Sequence, residues 1–188
     1  PGGAFLRSLV VPGWGQRAAG HRAAAVFAGT EVGLWGAYVG LLRLADGRAD
    51  DYRAFAARHA GAQTSGKDGA YFDDLGFYIS VRQHNQYAAY EEGPQPQVYP
   101  MTPEYFWEWE SDAARLEYRD LRNGSRSAKR QGLYVGGLVA VNHLLAAVHA
   151  ARTAAGAATA SEAAGVEPLV LAWDPARTQA RLAWVCRF

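Results

Sequence analysis

Two stretches of the chain are almost free of charge. AAAVFAGTEVGLWGAYVGLL, residues 23–42, carries one charged side chain, Glu31, and GLYVGGLVAVNHLLAAVHAA, residues 132–151, has no Asp, Glu, Lys or Arg and only His143 and His149 as groups able to charge near neutral pH. Twenty helical residues, at about 1.5 Å of rise each, cover the roughly 30 Å hydrocarbon core of a bilayer. The pattern predicts transmembrane helices over residues 23–42 and 131–152. Two Ala-rich helices buried in a soluble core would read similarly, but the flanks favour lipid. Arg17, His21, Arg22 and Arg43 clamp the first run, and Lys129, Arg130 and Arg152 clamp the second, with Trp35, Tyr38 and Tyr134 near the ends.

Between these runs the apolar period is helical. Residues 49–60 place Tyr52, Phe55 and Ala56 on one face behind acids that suit the helix dipole. Residues 69–92 space Phe72, Leu75, Ile79, Tyr87 and Tyr90 as one helix stopped by Gly93-Pro94. A third helix is expected from Thr102-Pro103-Glu104, carrying Phe106, Trp109, Ala113, Leu116 and Leu121 toward the second span, with Asn123-Gly124 as a weak point. Residues 150–164 read as a helix end fraying into a linker. The tail LVLAWDPARTQARLAWVCRF alternates about Asp174-Pro175 and predicts a β-hairpin. The expected fold is mainly α: an N-terminal interfacial segment (1–22), the first span (23–42), a helical domain (43–130), the second span (131–152), and a linker with hairpin (153–188).

Mean hydropathy of −0.19 and a net charge of +1 describe an ordinary soluble protein, because averaging hides this segregation. Twelve of the nineteen Lys and Arg lie between the apolar runs. That bias predicts a cytoplasmic central domain with both termini periplasmic. The lone Cys186 excludes an internal disulfide framework and a Cys-based metal cluster.

An acid at mid-bilayer costs about 2.5–3.5 kcal/mol on insertion scales and is rarely left facing lipid. Glu31 shares a helix face with Phe27, Trp35, Tyr38 and Leu42, and in an antiparallel pair it lies at the depth of His143. A Glu31–His143 pair is therefore expected, with Asn142 in reserve. The opposite face is a seam of Gly29, Gly33, Gly36 and Gly40, whose G-x-x-x-G spacing lets another helix approach closely. The seam is expected to meet a helix of another chain, and His149 and Trp35 are the candidates for contact with a pigment or partner.

Reaction motifs are missing. GAQTSGKD, residues 61–68, falls short of a phosphate loop because Asp68 replaces the hydroxyl and no strand precedes it. The doublets Asp73-Asp74 and Glu91-Glu92 diverge by about 100° on a helix. His84 has no nucleophile motif beside it. Neither a catalytic nor a metal-binding set is expected, nor any nucleic-acid partner.

Ser8, Pro12, Gly13, Gly15 and Gln16 form S-x-x-x-P-G-x-G-Q just ahead of the first apolar run. This resembles the start of a group of small bacterial two-span membrane proteins of unknown function, and YRDLRNGSRSAKRQGLYVGGLVAVNHLLAAVHAAR is similar to that group's second span. Pro12-Gly13 would turn the backbone at the membrane surface, where Gln16 would satisfy exposed amides. The resulting expectation is a non-catalytic accessory subunit of a larger bacterial inner-membrane complex. Its partners would be other membrane subunits, met through the first span and the aromatic helices, and the lipid bilayer. The narrowest version is a photosynthetic reaction centre–light-harvesting assembly. No cofactor is required, although bacteriochlorophyll or carotenoid contact would be compatible with intramembrane histidines. The alternative is a small transporter or proton-handling component using Glu31 and His143.

Overall fold

Among the described residues six helices account for most of the length: α1 Gly2–Val10, α2 Trp14–Ala18, α3 Ala23–Ala60, α4 Gly69–Phe77, α5 Val81–Glu91 and α6 Asp112–Ala164. The computed structural model describes residues 1–91, 93, 96–164, 170–174 and 179–183. Strands β1 Val170–Asp174 and β2 Gln179–Ala183 are antiparallel neighbours. The turn expected between them at Asp174-Pro175, and the side chains that would line the predicted hairpin, fall outside the described residues. Both apolar runs lie in helices long and apolar enough to cross a membrane. None of the apolar stretch of α3 is buried within the protein, and only 22% of that of α6 is. A core helix of a soluble protein would be mostly covered.

The chain divides into two compact units, Pro1–Leu34 with Leu138–Phe188, and Trp35–Gly137. In the first, α1 and α2 lie against α6, with Leu9 at His143, Gln16 at Ala146 and Gly15 beside Ala150, and Gly13 stands beside Ala24 at the start of α3. Asn142, Ala146, Ala147 and Ala150 are buried there, while Val26, Val32, Leu144 and Leu145 are more than half exposed. Small side chains at successive turns of α6 form its packed stripe. Residues 1–22, expected as an interfacial segment, fold into two short helices that pack on α6.

In the second unit, residues 35–60 of α3 run beside residues 112–137 of α6. Gly132 lies against Leu41 and Leu42, and Gly136 against Tyr38. Ser125 Oγ donates to Ala45 O at 2.8 Å, and Arg48 Nη1 to Gly124 O at 3.0 Å. Asn123-Gly124, expected to weaken the helix, is instead a position where α3 packs on an unbroken α6. The core of this unit gathers Tyr52, Phe55, Tyr71, Phe72, Leu75, Trp107, Trp109 and Tyr118.

Two predicted helices are corrected. The 69–92 segment breaks at Tyr78–Ser80, where Ser80 Oγ accepts from Gln83 N (3.2 Å) and Gln83 Oε1 accepts from Ile79 N (2.8 Å). That arrangement is a variant of the reciprocal cap, which starts α5. The helix expected from Thr102 begins only at Asp112, with Ser111 Oγ accepting from Ala114 N. Thr102-Pro103 makes a single turn, closed by Tyr105 N to Thr102 O. Residues 106–110 then run as an irregular, strand-like segment bonded through Glu108 N to Ala60 O and Trp109 N to Ile79 O. Trp107 and Trp109 are both buried. Their indole N–H groups donate to Tyr78 O (3.3 Å) and Leu75 O (2.7 Å). A helix would turn them about 200° apart.

Candidate functional site

Glu31 meets its partners inside the first unit. Its Oε1 lies 3.0 Å from His143 Nε2, and its Oε2 accepts from Asn142 Nδ2 at 2.9 Å. Asn142 Nδ2 also reaches Phe27 O at 3.3 Å, one turn earlier on α3. The other ring nitrogen, His143 Nδ1, stands 2.6 Å from Leu9 O at the end of α1. A carbonyl can only accept, so Nδ1 carries a hydrogen. Between Nε2 and the carboxylate there is then one further proton, and the pair is neutral overall whichever atom holds it. The arrangement answers the desolvation of the acid with two side-chain donors and leaves no net charge.

Around this pair the S-x-x-x-P-G-x-G-Q residues form a second polar knot. Ser8 and Gln16 are fully buried. Ser8 Oγ accepts from Gly15 N (2.8 Å) and donates to Gln16 Oε1 (2.7 Å), while Gln16 Nε2 donates to Ala146 O (2.7 Å). Gly13 has φ +96°, the left-handed region that favours glycine, and a Cβ there would stand 2.5 Å from Ala24 O. A Cβ on Gly15 would stand 2.3 Å from Ala4 O and 2.8 Å from Ala150 Cβ. Pro12-Gly13 does turn the chain. The expectation for Gln16 is corrected, because it bonds a carbonyl of α6 from a buried position instead of serving amides at a surface. No periodicity at residues 1–22 could reveal this, since the partner is 130 residues away.

The remaining residues of interest lie apart from this cluster. Gly29, Gly33, Gly36 and Gly40 form an open face of α3, where an added Cβ would meet nothing within 4 Å at any of the four. Trp35 is half exposed, with its ring edge to Tyr38 at 5.7 Å. His149 lies against His21 (5.1 Å) and Phe27 (5.5 Å), and its carbonyl accepts from Thr153 Oγ1. Among the described residues no group of three His, Cys, Asp or Glu could hold a metal ion.

The helical domain holds polar groups for structural ends. Asp68, in the near-miss phosphate loop, caps α4 through Tyr71 N (2.9 Å), and Lys67 sits 3.6 Å from the Tyr105 ring centroid. His84 is buried, 3.5 Å from Asp74, whose carboxylate accepts from Tyr99 OH. Burial pushes the Tyr71 hydroxyl up to about 12 and raises Tyr99 and Tyr118 further. Arg122 and Arg126 both grip Asp73. The hydrogen bond from Arg122 is the main cause holding the Asp73 carboxyl below its ordinary value, against the opposing effect of burial.

The chain matches no family model, no curated protein and no solved structure.

Proposed function

We propose that this protein is a non-catalytic subunit of a membrane assembly, held in the bilayer by the apolar parts of α3 and α6 and joined to a neighbouring helix through the glycine face of α3. One observation carries the reading. Glu31 is answered from within the chain by His143 and Asn142, while the glycine face is left open. A helix needing only lipid around it gains nothing from four aligned glycines, whereas two helices in lipid associate through close backbone approach. Kinship with the small bacterial two-span proteins belongs to the same proposal. In its favour, Ser8, Gly13, Gly15 and Gln16 each have a packing role that another residue type would not fill.

The test is purification of the full chain from native membranes in mild detergent. Wild type is expected to bring other membrane proteins at fixed stoichiometry, and the Gly33→Leu/Gly36→Leu variant to come alone, with its own helix pair intact by circular dichroism. Isolation of wild type as a free monomer counts against the assembly. The proton-handling alternative is separated by Glu31→Gln: loss of a flux with assembly retained would favour it.

A further inference from the structure

The turn that Pro12 and Gly13 create does more than fold the N-terminus back. With the left-handed Gly20 (φ +68°) and the start of α3, it walls a cavity of about 600 Å³. One part of the lining is cationic, from Arg17 and Arg22. Among the described residues neither guanidinium has a hydrogen-bond or ion-pair partner. Beside them stands His21, and the remaining wall is mostly apolar, from Val11, Trp14, Ala25 and Ala28, with Val11 and Trp14 about half exposed. Ala25 and Ala28 belong to the first turns of the apolar run of α3.

We propose that this cavity binds the phosphate headgroup of an acidic phospholipid, with the guanidiniums on the phosphate oxygens and the first methylenes of an acyl chain against the alanines and Trp14. Guanidinium is suited to phosphate because its planar donors match two oxygens at once. A free phosphate would leave the apolar wall wet, and a wholly apolar guest would leave two cations unanswered. An amphipathic anion satisfies both halves, and a cavity opening where an apolar run begins faces the headgroup layer. The volume lies within the 300–1,000 Å³ usual for small-molecule sites. Tryptophan with one face apolar and its N–H in a wetter zone is at home at that level. The proposal rests on the membrane reading above.

The test uses the full chain purified in a neutral detergent, titrated with short-chain phosphatidylglycerol, short-chain phosphatidylcholine or glycerol phosphate, read by native mass spectrometry and by the shift in melting temperature. Wild type is expected to retain one phosphatidylglycerol and to melt higher with it, with little response to the other two. Arg17→Gln/Arg22→Gln is expected to weaken binding about fivefold for each charge removed. Ala25→Leu, which fills the apolar wall and leaves the charges alone, should also weaken it and so keeps the test sound if the double variant misfolds. Equal binding of phosphatidylcholine, an equal shift from glycerol phosphate, or unchanged binding in both variants would each overturn the lipid site. A chain that stays in the aqueous fraction when membranes are sedimented would instead overturn the membrane reading itself.

Discussion

Replacing Glu31 with glutamine would keep the hydrogen bonds of the cluster. The amide oxygen would accept from Asn142 Nδ2, and the amide N–H would donate to His143 Nε2, whose ring is already fixed by Nδ1–H to Leu9 O. Glu31→Gln is therefore expected to melt close to wild type. Glu31→Leu removes both acceptors and should lose about 1–2 kcal/mol for each polar bond broken between the helices. Thermal melts of the three proteins in one detergent check this; equal loss in both variants would mean that charge, not hydrogen bonding, holds the pair. Gly15→Ala tests the second knot. Its Cβ has no room between Ala4 O, Ser8 Oγ and Ala150, so overpacking should cost about 1–3 kcal/mol. Limited proteolysis should then cut within residues 1–22 faster than in wild type.

At the scale of elements, sequence and structure part where two periods overlap. Helices over residues 23–42 and 131–152 were legible because some twenty residues with almost no charge admit few other uses, and Glu31 opposite His143 followed from counting depth along antiparallel rods. The W-E-W-E stretch, residues 107–110, also announces its strand-like backbone by alternation, but Thr-Pro-Glu just before it reads as a helix start. The indole bonds to Leu75 and Tyr78 decide the matter, and those partners are not visible from the local sequence. The ion pairing between α4 and α6 was equally hidden, since Asp73 and Arg122 are 49 residues apart. It carries a pH dependence. The folded protein holds the Asp73 carboxyl below its ordinary 3.8, so the stabilisation is complete above that value and is lost as pH falls through the lowered one. Wild type should lose more melting temperature between pH 7 and pH 3 than Asp73→Asn, which starts lower because Arg122 has lost its charged partner. Parallel acid profiles would remove this pair from the account.

For the molecule as a whole, the membrane proposal carries an orientation, which would be set on the chain as it inserts, before side chains have paired. Arg122 and Arg126 therefore count toward it although both grip Asp73 in the folded protein. Flanking the apolar runs on the central side stand Arg43, Arg48, Arg53 and Arg58 after the first, and Arg119, Arg122, Arg126, Lys129 and Arg130 before the second. The terminal flanks offer Arg7, Arg17, Arg22 and Arg152. Acidic residues weigh little in this balance, so the near-neutral total charge does not cancel it. The central domain is expected in the cytoplasm. Ser65, exposed in the loop between α3 and α4, gives a position to read it: in a Cys186→Ser background, Ser65→Cys should react with a membrane-impermeant maleimide in inverted vesicles and stay unlabelled in intact cells. Labelling from outside would reverse the orientation, and with it the leaflet in which Arg17 and Arg22 meet a headgroup.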